Sequence, residues 1–197
     1  MGNGSVTKER ILQTALQVFA ENGFEGARME KIASEVGINK ASLYFHFKSK
    51  EEIFRALFRQ ILINYQNKLK EILEEAKNLP MRKRLTVIYE KYLDYNWNNT
   101  AMDFWNRMYY FPPTAMREEI ITQTLEVENS FIIQLSVVME EGIRRKELRP
   151  MGAVPMAKSY YYVLTCIGLS ADLMKKEQGL TDMEECFHVF WEGVKAE

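Results

Sequence analysis

From Gly23 to Glu52 the chain reads GFEGARMEKIASEVGINKASLYFHFKSKEE, and no other stretch restricts its fold as tightly. Met29, Ile32, Ala33 and Val36 recur at helical spacing, so the pattern predicts a short amphipathic helix over Met29–Val36 with that stripe turned inward. Gly37 ends it, because glycine supplies the left-handed backbone needed just past a helix terminus, and Ile38 can then plug the core while the chain turns. A second helix is predicted over Lys40–Phe47, where Leu43 and Phe47 lie four apart and pack inward. Lys40, Ala41, Ser42, Tyr44 and His46 are left on the outer and lateral faces. Small residues let such a helix approach closely, and polar tips donate to phosphates and base edges, which suits a helix laid in the major groove of DNA.

The flanking segments complete a three-helix head. Thr7 is a candidate cap for a first helix with Glu9 in its first turn, Ile11, Leu12, Ala15, Leu16 and Phe19 form its buried stripe, and Gly23 ends it. Ser49-Lys50-Glu51-Glu52 reads as a capping box opening a long helix, with Ile53, Leu57, Ile61, Tyr65, Leu69 and Ile72 inward, to about Lys77.

Thr7, Glu9-Arg10-Ile11-Leu12, Ala15, Phe19, Gly23-Phe24, Ile32-Ala33, Val36-Gly37-Ile38 and the run Ser42-Leu43-Tyr44-Phe45-His46-Phe47-Lys48-Ser49-Lys50-Glu51 together resemble the amino-terminal domain of the TetR family of bacterial repressors. The resemblance covers the first quarter of the chain. It implies an all-α protein with a helix-turn-helix head over residues 1–50 and a larger helical ligand-binding and dimerisation body over 51–197, of which 51–77 is a linking helix. It also implies a homodimer on a near-palindromic double-stranded operator, relieved by a small-molecule inducer. On that likeness Lys40, Ala41 and Ser42 face bases and groove backbone, while Tyr44 and His46 touch phosphates. Lys50 adds charge and a backbone amide at a positive helix terminus. Phe45 is an exposed aromatic that can meet a thymine methyl or pack on the head. Many relatives open the second helix with Thr or Ser, whereas this chain has Ala27-Arg28-Met29, so Arg28 and Met29 are expected at that phosphate contact.

Composition narrows the rest. The 197 residues are 47% apolar with a net charge of −1, ample for a helical core but not marked as a nucleic-acid binder by bulk charge. The asymmetry has the right sign, since residues 1–50 carry a net +2 and the remainder −3. The two cysteines, Cys166 and Cys186, cannot build a disulfide framework, and no signal peptide is apparent, so a reduced, cytoplasmic protein is expected. No apolar run approaches a membrane span. His46 and His188 are the only histidines and neither belongs to a ligand-spaced cluster, so no metal or cofactor is expected. Nor is there a Ser/His/Asp set or phosphate loop, which disfavours an enzyme. A helical small-molecule-binding protein or enzyme with a vestigial head is the alternative.

Beyond Leu79-Pro80 the pattern predicts helices over about Met81–Asn96, from Thr100 to Phe111 after a break at Asn98-Asn99, and Met116–Arg145. The last of these takes its stripe from Ile121, Leu125, Phe131, Leu135, Val138 and Met139. Two final helices, about Val154–Lys176 and Asp182–Lys195, are separated at Gly179 with Thr181 as the cap. Aromatic and thioether side chains crowd this body. Tyr89, Tyr92, Trp97, Met102, Phe104, Trp105, Met108, Tyr109, Met139 and Tyr161 are either core or the wall of a pocket for a planar or hydrophobic ligand, and Asp103, Glu126 or Arg107 could orient its charge. Leu164, Gly168 and Ala171, with Phe187, Phe190, Trp191 and Val194, are the expected dimer surface.

Overall fold

The computed structural model describes residues 3–97, 99–170 and 176–197, and these form α-helices joined by short connections, with one 3-10 turn at Thr114–Met116. The helices are α1 (Asn3–Gly26), α2 (Met29–Val36), α3 (Lys40–His46), α4 (Lys50–Glu75), α5 (Met81–Asn96), α6 (Thr100–Tyr110), α7 (Arg117–Arg144), α8 (Ala153–Ser170) and α9 (Lys176–Val194). Asn98 and Ala171, named above, lie outside the described residues. Packing divides the chain into two units, Met1–Tyr65 with Asn99–Thr122, and Gln66–Asn98 with Gln123–Glu197.

The first unit closes around aromatic rings. Phe54 meets Phe19 and Phe24 edge-on with centroids 5.5 and 5.2 Å apart, and Phe104 of α6 lies 5.5 Å from Phe54. α1 begins before Thr7, which is therefore inside the helix rather than its cap. It kinks at Gly23, whose φ of 66° and ψ of 175° leave the helical region, and a final turn runs on to Gly26. Arg107 of α6 donates to the Ala20 carbonyl at 3.1 Å, tying α6 to α1. The Ser49 hydroxyl accepts from Glu52 N–H at 3.2 Å while the Glu52 carboxylate reaches back to Lys48 N–H at 2.6 Å, which fixes the start of α4.

The second unit packs α5, α7, α8 and α9 with the rest of α4. The Tyr160 hydroxyl donates to the Leu85 carbonyl at 2.6 Å, and Tyr160 also lies 5.4 Å from Phe190, so one ring ties α8 to both α5 and α9. Arg84, only 5% exposed, donates to Glu141 at 2.6 Å, and that acceptor is shared with Arg145. Arg84 holds the Glu141 carboxyl below the usual carboxylate range. After α9 the chain is pinned by Arg149 N–H to Val194 O and Ala196 N–H to Glu147 O.

Two sequence expectations are corrected here. α9 runs through Gly179 and Thr181 instead of starting at Asp182, because the Thr181 hydroxyl donates back to Glu177 O at 3.1 Å and Gln178 bonds Asp182, so neither residue terminates the helix. The stripe of α7 is buried as expected at Phe131, Leu135, Val138 and Met139 but differs near its start. Leu125 is exposed, whereas Thr124, Phe131 and Leu135 are buried and Glu128 falls among them at helical spacing.

Candidate functional site

The local geometry of α2 and α3 follows from three backbone devices. Gly37 takes φ 76°, and the N–H groups of Gly37 and Ile38 close on Ser34 O and Ala33 O, ending α2. Arg10 adds a guanidinium donor to Val36 O at 2.8 Å, which satisfies a further end carbonyl. Asn39 then caps α3, its side chain accepting from Ser42 N–H at 2.8 Å. This residue was not singled out in the sequence, although Asn immediately before a helical pattern is the available signal.

Within α3 only Leu43 is buried, and Phe47 follows it into the core. Lys40, Ala41, Tyr44 and Phe45 are exposed, Phe45 at 78%, while Ser42 and His46 are half-buried. These residues form one continuous outer surface. Lys40 is paired with Glu30 of α2 and lies 5.8 Å from the Tyr44 ring, and that pairing raises the lysine pKa and lowers the carboxyl's. Arg28 stands exposed at the start of α2 with no side-chain capping bond. Met29 beside it is 7% exposed and belongs to the head's core, because the inward stripe begins with it. The Lys50 ammonium is also engaged, donating to Phe24 O at 2.7 Å and lying 4.4 Å from the centre of the Phe24 ring.

The aromatic set expected to line one pocket is divided between the packing units. In the first, Met102, Phe104, Trp105 and Met108 are buried, Tyr109 is half-buried, and Trp105 meets Tyr65 at 4.3 Å. In the second, Tyr89, Tyr92, Met139 and Tyr161 are buried and Trp97 is half-buried. Phe131 links Tyr92 and Tyr161, its centroid 6.3 Å from one and 6.1 Å from the other. Glu128, missed in the sequence, lies one turn before Phe131 on α7, and burial pushes its carboxyl up. Glu126 is exposed.

For the expected dimer surface, Leu164 is fully buried and Phe187 and Val194 nearly so within the subunit's own core, while Phe190 and Trp191 are half-buried. A Cβ on Gly168 would lie 3.4 Å from Tyr92 and 3.6 Å from Leu93, ordinary contact distances, so this glycine faces α5 within the subunit. Outward residues of the same two helices include Tyr162, Cys166, Cys186 and Val189. Among the described residues no group of three His, Cys, Asp or Glu side chains could hold a metal, and no helix is long and apolar enough to cross a membrane.

A glycine-turned pair of short helices, the second capped and presenting polar side chains, makes this an all-α helix-turn-helix protein with a larger helical body. The family model for bacterial regulatory proteins of the tetR family matches residues 11–57, so the head of this chain is similar to the amino-terminal domain of that family. The chain is 35% identical over 92 residues to the HTH-type transcriptional regulator YerO of Bacillus subtilis, a match covering 45% of this chain and 32% of that protein. It is 44% identical over 48 residues to the biofilm operon icaADBC negative transcriptional regulator IcaR of Staphylococcus epidermidis, covering 24% and 26%. The aligned segments thus span about a third or less of these curated relatives. The fold extends further, since a TetR transcriptional regulator of Chloroflexus aurantiacus superposes with a TM-score of 0.74 over all of both chains at 19% identity.

Proposed function

We propose that this protein is a homodimeric transcriptional repressor that holds a near-palindromic DNA operator through α3 and lets go when a small hydrophobic or aromatic molecule binds its body. The observation that carries the reading is the composition of α3, which turns one residue inward and leaves Lys40, Ala41, Tyr44 and Phe45 exposed beside half-buried Ser42 and His46. Residues 1–50 supply the DNA-binding domain, with Arg28 flanking the groove, and 51–197 the sensing and dimerisation domain, 51–77 acting as its linking helix. The negative regulator IcaR, matched over the head, supports repression. Two copies of α3 about 34–36 Å apart, or a multiple, meet successive major-groove faces. Ligand need only favour the spacing that misses them. The protein acts in the cytoplasm, without catalysis or cofactor.

Dimerisation uses the outward sides of α8 and α9, where Tyr162 and Val189 are 61% and 71% exposed. Val189→Glu should give monomers in sedimentation experiments at micromolar protein, and a dimer there would place the interface elsewhere. For DNA, fragments of the source genome are selected on the purified protein and titrated against salt. A steep salt dependence that weakens in Tyr44→Phe and shifts its sequence preference in Ser42→Ala supports the reading. A helical binding protein with a vestigial head would give no salt-sensitive complex at all.

A further inference from the structure

The turn that closes α7 is one that glycine usually makes, and here a lysine makes it. Lys146 takes φ 58°, in the left-handed region where a side chain is disfavoured, and its N–H closes on Ile143 O at 3.0 Å. The N–H groups of Glu147 and Leu148 then both reach Gly142 O, at 3.0 and 3.1 Å. Leu148 is laid so closely on α7 that a Cβ at Gly142 would stand 2.6 Å from it. From there the chain runs antiparallel to the segment that follows α9, with a bridge between Leu148 and Lys195. Arg149 N–H meets Val194 O at 2.8 Å, Ala196 N–H meets Glu147 O at 3.0 Å, and Arg149 Nε–H donates to Lys195 O at 2.9 Å. The two segments are thereby held side by side.

An open groove of about 590 Å³ lies at this junction, a size that suits a small molecule. Ile143, Leu148, Pro150 and Met151 give it apolar walls, Met151 being 58% exposed, and Lys146 and Arg149 bring two cations to it. Other cations nearby are already spent, Arg145 on Glu141 and Lys195 on Glu192. Among the described residues neither Lys146 nor Arg149 stands in an ion pair, although Glu197 lines the same groove. Two cations against one carboxylate leave an excess of positive charge beside exposed thioether and aliphatic surface. Water hydrates the cations but not the walls, whereas an amphipathic anion covers both. With its Nε–H used on Lys195 O, the Arg149 guanidinium keeps its terminal nitrogens for an oxyanion. We infer that this groove binds an organic monoanion, a carboxylate carried on a compact apolar body, and, resting on the proposed reading of the body as the sensing domain, that such an anion is the molecule sensed. The left-handed turn serves the site by placing a charged side chain where glycine would supply none.

The test uses full-length protein and two probes of one shape, 4-tert-butylbenzoate and its neutral isostere 4-tert-butylbenzamide, titrated by calorimetry at low salt. Wild-type protein should bind the carboxylate about tenfold more tightly than the amide. Lys146→Asn removes the charge and spares the turn, because asparagine enters the left-handed region more readily, so that preference should fall to about threefold or less with circular dichroism unchanged. Glu197→Gln should raise it. Lys158→Gln, at an exposed lysine of α8 outside the groove, should leave it as it was. Equal affinity for the two probes in the wild type, an undiminished preference in Lys146→Asn, or an equal loss in Lys158→Gln overturns the site. Operator release is followed in parallel. A Lys146-dependent carboxylate complex that leaves DNA bound upholds the groove as a binding site and sinks ligand-induced release. Release by the carboxylate that Lys146→Asn does not blunt keeps the sensing body and overturns the groove as its site.

Discussion

Lys50 separates two accounts of the same residue. The family likeness makes it a cation at the DNA surface, whereas its ammonium donates to the Phe24 carbonyl at 2.7 Å and to Glu25 O at 3.4 Å and rests on the Phe24 ring. It thus fastens the last turn of α1 to the first of α4, a position favoured by the negative end of a helix. Lys50→Met keeps the aliphatic stem and removes the charge. A hydrogen bond from a charged donor contributes about 1.5–3 kcal/mol and a partly exposed cation over a ring about 0.5–1 kcal/mol, and water replaces part of both here. The variant should therefore lose about 1–2 kcal/mol of stability, read as a lower urea midpoint at unchanged slope. Operator binding is measured in parallel across a range of potassium chloride. A phosphate-bound charge contributes about 0.9 to the slope of log affinity against log salt. If Lys50 acts as a fastener, the slope stays at its wild-type value and affinity falls only with the head's integrity. A slope smaller by about one unit in a variant of undiminished stability would refute the structural role and restore the phosphate contact.

Two carboxyls of the second unit should respond to pH with opposite signs. The Glu141 value is lowered, chiefly by its bond to Arg84, so its stabilisation is present above the unfolded carboxyl value of 4.5 and disappears as pH falls through the folded one. Glu141→Gln should cost about 3 kcal/mol at pH 7 by leaving Arg84 buried without its anion, with the deficit shrinking in acid denaturation series. The Glu128 value is raised by burial, so the native state holds its proton more tightly and stability falls as pH rises from 4.5 through the folded value. Glu128→Gln should therefore melt above the parent at pH 7 and level with it below pH 4.5 in calorimetric scans. Gly37→Ala meets nothing within 4 Å, so its cost is the φ of 76° alone, about 1–2 kcal/mol in urea unfolding; a neutral result would mean that the turn relaxes.

The head was legible because its punctuation is local. Gly37, and Ser49 with Glu52, act through neighbours in sequence, and α5 begins at Met81 because Pro80 admits no helix before it. Where punctuation proved soft the reading failed, as at Gly179 and Thr181, which α9 absorbs once Thr181 bonds back one turn. The body's site was less readable for a different reason. Helical spacing says which residues share a face but not which unit that face serves, so Phe104 and Tyr92 looked like one wall although they belong to different packing units. Glu128 escaped notice because the stripe of α7 was read from apolar residues alone, although position 128 lies on the same helical face as Ile121, Leu125, Phe131 and Leu135.

The pairing of Lys40 with Glu30 gives the recognition surface its own built-in counterion. On meeting a duplex as proposed, this lysine exchanges a protein carboxylate for a phosphate, and the displaced Glu30 remains beside a polyanion. Fewer solution cations are then released than the count of basic residues suggests, and Lys40 adds less than a full unit to the salt dependence. Indiscriminate attraction to DNA is weakened most, because nothing but backbone charge offsets the exchange there. A sequence that also engages Tyr44 or Ser42 recovers the loss through base and sugar contacts, so a chain of nearly zero net charge can favour its operator by binding everything else poorly.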